Sequence, residues 1–146
     1  MMLDIGCGEF KYENSLGMDK RCVSGVDVVA DAESFPYPFK DKSFDIIIMS
    51  HLFEHIKPWL SINVMDECWR VLRNGGGMIL SVPYGVSDRY IQDPTHCNPC
   101  NELTFSYFDP KHGSKLWNVY KPKPWEIFKI DRQLDLIVTL KKEGRN

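Results

Sequence analysis

Short apolar runs broken by glycine, proline and acid fill the first half of the chain, and one stretch of helical spacing follows them. Residues 1–5, 15–18 and 26–30 predict three strands. A parallel crossover normally takes about a dozen residues and a helix. The intervals between these strands are shorter than that, so loops are expected where the first two helices would lie. Residues 34–39 place Pro36 and Pro38 among Phe35, Tyr37 and Phe39, which predicts a loop packed on the sheet. Residues 44–49 are apolar except for Asp45, as in a centrally buried strand. From residue 60 to 72 the apolar positions are Leu60, Val64, Met65, Cys68, Trp69, Val71 and Leu72, which is the spacing of an amphipathic helix. Gly75, Gly76 and Gly77 are expected to end it and turn into a fifth strand over 78–82. Residues 84–116 show little periodicity, so a long, functional or disordered loop is expected, with a short helix over 102–108. Residues 125–130 and 134–140 predict two last strands, joined by a hairpin turn at Asp131, Arg132 and Gln133.

Together these elements predict an α/β, Rossmann-like, doubly wound sheet. It is mostly parallel and seven-stranded, with an antiparallel C-terminal hairpin and few helices on one face, in a single domain over 1–146. A parallel sheet normally buries both faces. Phe10, Phe35, Tyr37 and Phe39 are expected to cover part of the helix-poor face, and a second copy in a homodimer the rest. Composition adds mainly exclusions. A net charge of −2 gives no general attraction to nucleic acid. Lys111, Lys115, Lys121 and Lys123 read as a solvated face. No stretch is long and apolar enough to span a membrane, and no signal-peptide pattern opens the chain. Five cysteines without a regular framework fit a reducing compartment, so a cytoplasmic location is expected.

The candidate chemistry starts where the first strand ends. Asp4 and Ile5 lead into Gly6, Cys7 and Gly8, and glycines past a strand end let the backbone approach a ligand in the crevice beyond it. Cys7 fits between them by its small size. Asp19 ends the second strand, where a carboxylate can accept hydrogen bonds from ribose hydroxyls. A dinucleotide fingerprint requires a third glycine and a helix whose N-terminus holds the pyrophosphate. Here Lys11 takes that position, and residues 9–14 are too few for such a helix. S-adenosylmethionine (SAM) carries a sulfonium and no phosphate, so the residues favour it over NAD.

Residues 3–8 resemble the glycine motif of the class I SAM-dependent methyltransferases, of the type called methyltransferase domain 11, although Phe10 stands where a third glycine is common. Asp19 matches that family's ribose-binding acid, and Asp31 with Ala32 resembles its adenine-binding loop. Residues 43–51 and 52–56 resemble its fourth strand, ending in Ser50 and His51, and the loop beyond. Residues 70–83 resemble the helix, turn and fifth strand that follow. The resemblance covers about the first 85 residues well and the rest loosely. It implies a SAM-dependent methyltransferase with Asp4, Gly6, Cys7, Gly8, Asp19, Asp31, Ala32, Ser50 and His51 at the cofactor.

Methyl transfer is an in-line displacement, so placing the acceptor supplies most of the catalysis, and a general base helps a hydroxyl or protonated amine. His51, just past the fourth strand, is the first candidate base; the alternative is a histidine that packs its loop. Glu54 and His55 read as structural. Asp93 and His96 lie in the long segment where the family commonly places acceptor-binding elements, and they read equally as a base pair or as an Asx turn before Pro94. Tyr84 and Tyr90 are candidates for an aromatic wall. His96, Cys97 and Cys100 suggest zinc, but only His112 is near and no second cysteine pair exists, so no metal is expected. The Asn/Asp-Pro-Pro-aromatic motif shared by DNA amino-methyltransferases is absent after the fourth strand, where Ser50, His51, Leu52 and Phe53 stand. The expected acceptor is a small molecule. A catalytically inactive SAM-binding or partner-binding module is the alternative.

Overall fold

The computed structural model describes residues 1–144, so the last two residues of the expected single domain lie outside the described residues. Its strands are β1 (Met2–Ile5), β2 (Ser15–Asp19), β3 (Val28–Val29), β4 (Phe44–Ser50), β5 (Leu72–Pro83), β6 (Trp125–Arg132) and β7 (Asp135–Lys142). They form one sheet in the order β3-β2-β1-β4-β5-β7-β6. The first five run parallel, and β7 lies antiparallel between β5 and β6. This is the expected doubly wound arrangement with its C-terminal hairpin.

One substantial helix serves the sheet. Helix α1 (Ser61–Val71) crosses from β4 to β5 and buries Val64, Met65, Cys68 and Val71, a stripe at helical spacing. They pack on Leu3, Ile5, Ile47, Met49, Met78 and Leu80 from the strands. Lys142 closes its C-terminal end by donating from Nζ to the carbonyls of Trp69 and Leu72 at 2.8 and 2.7 Å.

Several boundaries differ from the sequence expectation. β3 spans two residues instead of five. β5 begins at Leu72, directly after α1, rather than at residue 78. Leu72 pairs with Phe44 and Gly77 with Ile46, so the intervening residues bulge out of the ladder. Gly75 takes φ +75 there, so the glycines shape a bulge inside a strand instead of a turn before one. The hairpin turn falls at Gln133 and Leu134, with Asp131 and Arg132 in β6. The long segment holds α2 (Asp88–Ile91), α3 (Glu102–Ser106) and α4 (Trp117–Tyr120). No described helix is long and apolar enough to cross a membrane.

The faces of the sheet are unequal, and the aromatic cover lies on the other side from the one expected. Tyr37 N–H donates to Glu67 on α1 at 2.8 Å, Arg70 holds the carbonyls of Tyr37 and Phe39, and Phe39 packs edge-on against Phe44. These contacts draw residues 34–39 onto the face that α1 already covers, while Phe10 is 91% exposed. On the opposite face residues 6–14 form a strap over β1, tied by Tyr12 N–H to the buried Asp4 carboxylate at 2.9 Å. Ile46, Ile79 and Ile137, on that same face further along, stay partly open.

Candidate active site

Beyond the carboxyl ends of β1, β2, β3 and β4 lies a cleft of about 490 Å³, within the range of small-ligand sites. Each strand end contributes to its wall. Gly6 continues β1, Asp19 ends β2, Ala30 follows β3 and His51 follows β4. Asp31, Ala32 and Glu33 form one side, and Leu52 and Ile56 an apolar patch opposite. Glu33 joins the two sides by accepting from Lys57 N–H at 2.8 Å and from Lys57 Nζ at 2.6 Å.

The glycine turn is held by its own backbone. Gly6 and Cys7 N–H groups both point at the Met18 carbonyl, at 2.7 and 3.3 Å, and Gly8 N–H donates to Asp19 Oδ2 at 2.9 Å. No helix starts there. The free N–H groups that cradle a pyrophosphate are therefore already committed. Gly6 has φ +74, and a Cβ on it would meet Leu52 Cδ2 at 2.8 Å. Asp19 Oδ1 also accepts from Arg21 N–H at 2.9 Å and Nε at 3.2 Å. Burial pushes the Asp19 carboxyl up, but the Arg21 guanidinium and the N–H groups of Arg21 and Gly8 outweigh it and hold the group below the usual carboxylate range. A carboxylate has about four acceptor sites; Arg21 Nη2, at 3.5 Å from Oδ2, is the longest of the four donors and the one a hydroxyl would displace.

Gly6, Asp19, Asp31, Ala32 and His51 thus line the cleft, as does Arg21, which carried no sequence signal. Asp4, Cys7, Gly8 and Ser50 sit behind it. Asp4 anchors the strap, and burial raises its carboxyl despite the Tyr12 N–H. Cys7 Sγ fills the space a side chain on Gly17 would need, at 2.7 Å from that position. Gly8 orients Asp19, and Ser50 accepts from Ser81 Oγ at 3.2 Å between the strands.

At the other end of the cleft the carboxylates and histidines gather. His51 adopts φ +51, an uncommon conformation for a residue with a Cβ. Its Nδ1 lies 3.4 Å from Glu54 Oε1 and its Nε2 3.4 Å from Asp135 Oδ2. Glu54 belongs to a 3₁₀ turn, Phe53–His55, that Phe53 plugs into the core. Its backbone carbonyl accepts from Cys97 and Asn98 N–H groups, which docks the 93–98 segment onto this turn. His96 and Asp93 therefore reach the cluster from behind, while His55 and Thr95 line the cleft itself. Burial raises the Glu54 carboxyl above its ordinary range, against its own backbone and the three nearby histidines. Tyr90 packs on the His96 ring at 5.1 Å between centroids, whereas Arg132 stacks over Tyr84. Glu54, read as structural from the sequence, is the centre of this cluster, and Asp135 arrives from β7 through a register that no local pattern reveals.

Residues 11–80 match the family described as "Methyltransferase domain". Over 70 residues, 48% of this chain and 21% of the relative, the chain is 37% identical to the tRNA N(3)-methylcytidine methyltransferase Mettl2 of Drosophila melanogaster. It is 28% identical over 102 residues, 59% of this chain and 39% of the relative, to a probable S-adenosylmethionine-dependent methyltransferase of Mycolicibacterium smegmatis. The chain thus spans well under half the length of either curated relative. A SAM-dependent methyltransferase structure from Archaeoglobus fulgidus superposes with a TM-score of 0.69 at 18% identity, covering 97% of this chain and 85% of that one. The chain thus has the fold of the SAM-dependent methyltransferase structures, and just under half of it, including the acid at the end of β2, matches the methyltransferase family model.

Proposed function

We propose that this chain transfers a methyl group from SAM to a small-molecule acceptor. The observation that carries the reading is the cleft in which Gly6, Asp19, Asp31, Ala32 and His51 meet, with the Gly6, Cys7 and Gly8 N–H groups already bonded within the protein. Asp19 accepts from the ribose hydroxyls, and residues 30–33 flank the base. Gly6 gives the ligand close backbone approach, and Gly8, Cys7, Asp4 and Ser50 support this wall from behind. The acceptor enters from the side of His51, His55 and Thr95.

Bound here, SAM would supply an electrophilic methyl group, its carbon–sulfur bond breaking to leave a neutral thioether as an acceptor lone pair forms the new bond. His51 takes the proton the acceptor releases, and the carboxylates of Glu54 and Asp135 stabilise the imidazolium that forms. Asp93 and His96 stand behind this end and set its charge.

The same charge supports a small acceptor over RNA, the substrate class named for the Drosophila relative. Glu54, Asp93 and Asp135 concentrate negative charge at the acceptor end, with Arg89 as the nearby counter-charge, and a phosphate backbone meets repulsion there. A labelled-methyl screen over metabolite pools, with tRNA as a parallel arm, tests the proposal. It predicts label in a low-molecular-weight product. Label in tRNA overturns the acceptor class, and SAM binding without transfer to any pool favours an inactive binding module.

A further inference from the structure

We propose that Glu54, His55 and His96 form a binding site for a divalent first-row transition ion of the zinc class, with Asp93 as a further donor. One donor atom from each of the first three lies within 4.8 Å of the others. Hydrogen-bond bookkeeping assigns their protons. His96 Nδ1 is 2.7 Å from the Tyr90 carbonyl, which only accepts, so Nδ1 carries the hydrogen and Nε2 keeps its lone pair. That Nε2 faces Asp93 Oδ2 at 3.6 Å and Glu54 Oε1 at 3.9 Å. Thr95 Oγ1 gives its one proton to Asp93 Oδ1 at 2.7 Å, so toward His55 Nδ1, at 3.0 Å, it acts as acceptor. His55 Nδ1 therefore carries hydrogen, and its Nε2 is the lone-pair nitrogen. Glu54 is 1% exposed, and its Oε2 has no hydrogen-bond partner.

Toward one another these groups thus present lone pairs: His51 Nδ1 reaches Glu54 Oε1 at 3.4 Å, but the buried Glu54 Oε2 has no donor, which costs free energy. The carboxylate oxygens of Asp93 and Glu54 lie 3.6 and 3.9 Å from His96 Nε2, beyond hydrogen-bonding distance but within reach of one shared cation, and Glu54 Oε2 is unpaired. A cation held among them would be shared by the Glu54 carboxylate and both imidazoles. Two imidazoles and a carboxylate are the donor set of open zinc sites. Each histidine also shows the outer hydrogen bond that fixes a metal-binding tautomer, His96 to a carbonyl and His55 to a threonine oxygen. The rings are braced edge-to-face at 4.6 Å between centroids. With zinc bonds of about 2.1 Å, tetrahedral donors sit about 3.4 Å apart, so the set draws in by roughly 1 Å on binding. His55 and Thr95 line the cleft, so the ion's open position is reached from it. That it would there hold an acceptor oxygen rests on the methyl-transfer reading; metal uptake itself does not.

Titration of chelator-treated protein with Co²⁺, read by d–d absorption, tests the site. One equivalent is expected to bind, competed off by Zn²⁺. His55→Ala and His96→Ala are expected to weaken Co²⁺ by at least about 100-fold, and Thr95→Val, an exposed change that frees the His55 ring, by about 10-fold. Cys97→Ser is expected to bind as the unmodified chain does. Absence of uptake, uptake unchanged in both histidine variants and Thr95→Val, or uptake lost in Cys97→Ser overturns the site. Calorimetry with S-adenosylhomocysteine on the same samples separates the two claims. Uptake of Co²⁺ without nucleoside binding upholds the metal site and overturns the methyltransferase reading, and the reverse result overturns the metal site alone.

Discussion

Replacing Gly6 by alanine tests the glycine turn against a built-in control elsewhere in the chain. Gly6 and Gly75 share nearly the same backbone conformation, at φ +74 and +75. An alanine forced into that left-handed region costs about 1–2 kcal/mol at either site. Around Gly75 a new Cβ meets nothing within 4 Å, so Gly75→Ala should cost only that amount. At Gly6 the same Cβ comes to 2.8 Å from Leu52 Cδ2 and 3.1 Å from Leu52 Cβ. The Cδ2 methyl can rotate away, but Cβ is fixed to the backbone, so the segment after β4 must shift. Overpacking of this kind adds about 1–3 kcal/mol. Because Leu52 is part of the cleft wall, the shift also narrows the cleft. Urea unfolding of both variants should show Gly6→Ala the less stable, and calorimetry should show weaker S-adenosylhomocysteine binding for Gly6→Ala alone. Equal stability losses together with unchanged affinity would refute the reasoning.

Other outcomes follow from the same geometry. Asp19→Asn should weaken S-adenosylhomocysteine by about 10–100-fold, since a hydrogen bond to a charged group is worth about 1.5–3 kcal/mol; calorimetry checks it. Asp19 lies below its unfolded value, near about 3.9. Its stabilising contribution is therefore complete above that pH and is lost as pH falls through the lower folded value. Unfolding curves of Asp19→Asn should accordingly lose less stability between neutral and strongly acid pH, and a loss equal to that of the original chain counts against the assignment. His51→Gly removes the proposed base and relaxes φ +51, so turnover should fall about 10²–10⁴-fold while the melting temperature holds or rises. Retained turnover would remove His51 from the mechanism. Lys142→Met leaves two carbonyls at the end of α1 without their donor, and should cost about 2–4 kcal/mol in urea unfolding with nucleoside affinity unchanged.

How much of this was legible depended on whether the signal was local. The stripe from Val64 to Val71 and the apolar run of β4 carry their own periodicity, and both stand within a residue of where the sequence placed them. The crossovers too short for helices predicted a helix-poor face, and residues 6–14 and 20–27 hold no helix. The side taken by Tyr37 and Phe39 was not legible, because Glu67 and Arg70 of α1 decide it from thirty residues away. The same holds at the site. Gly6 and Asp19 announce themselves by type and position. Arg21 reads as an ordinary surface cation until its guanidinium is seen on Asp19. Glu54 reads as one side of a short helical turn, and only docking of the 93–98 segment and arrival of Asp135 on β7 make it central.

The most direct test of the account is calorimetric titration of the purified chain with S-adenosylhomocysteine and, separately, with NAD⁺. The committed N–H groups of the glycine turn and the carboxylate of Asp19 predict saturable binding of one equivalent of S-adenosylhomocysteine and no binding of NAD⁺. Saturable NAD⁺ binding with no heat from S-adenosylhomocysteine would contradict it.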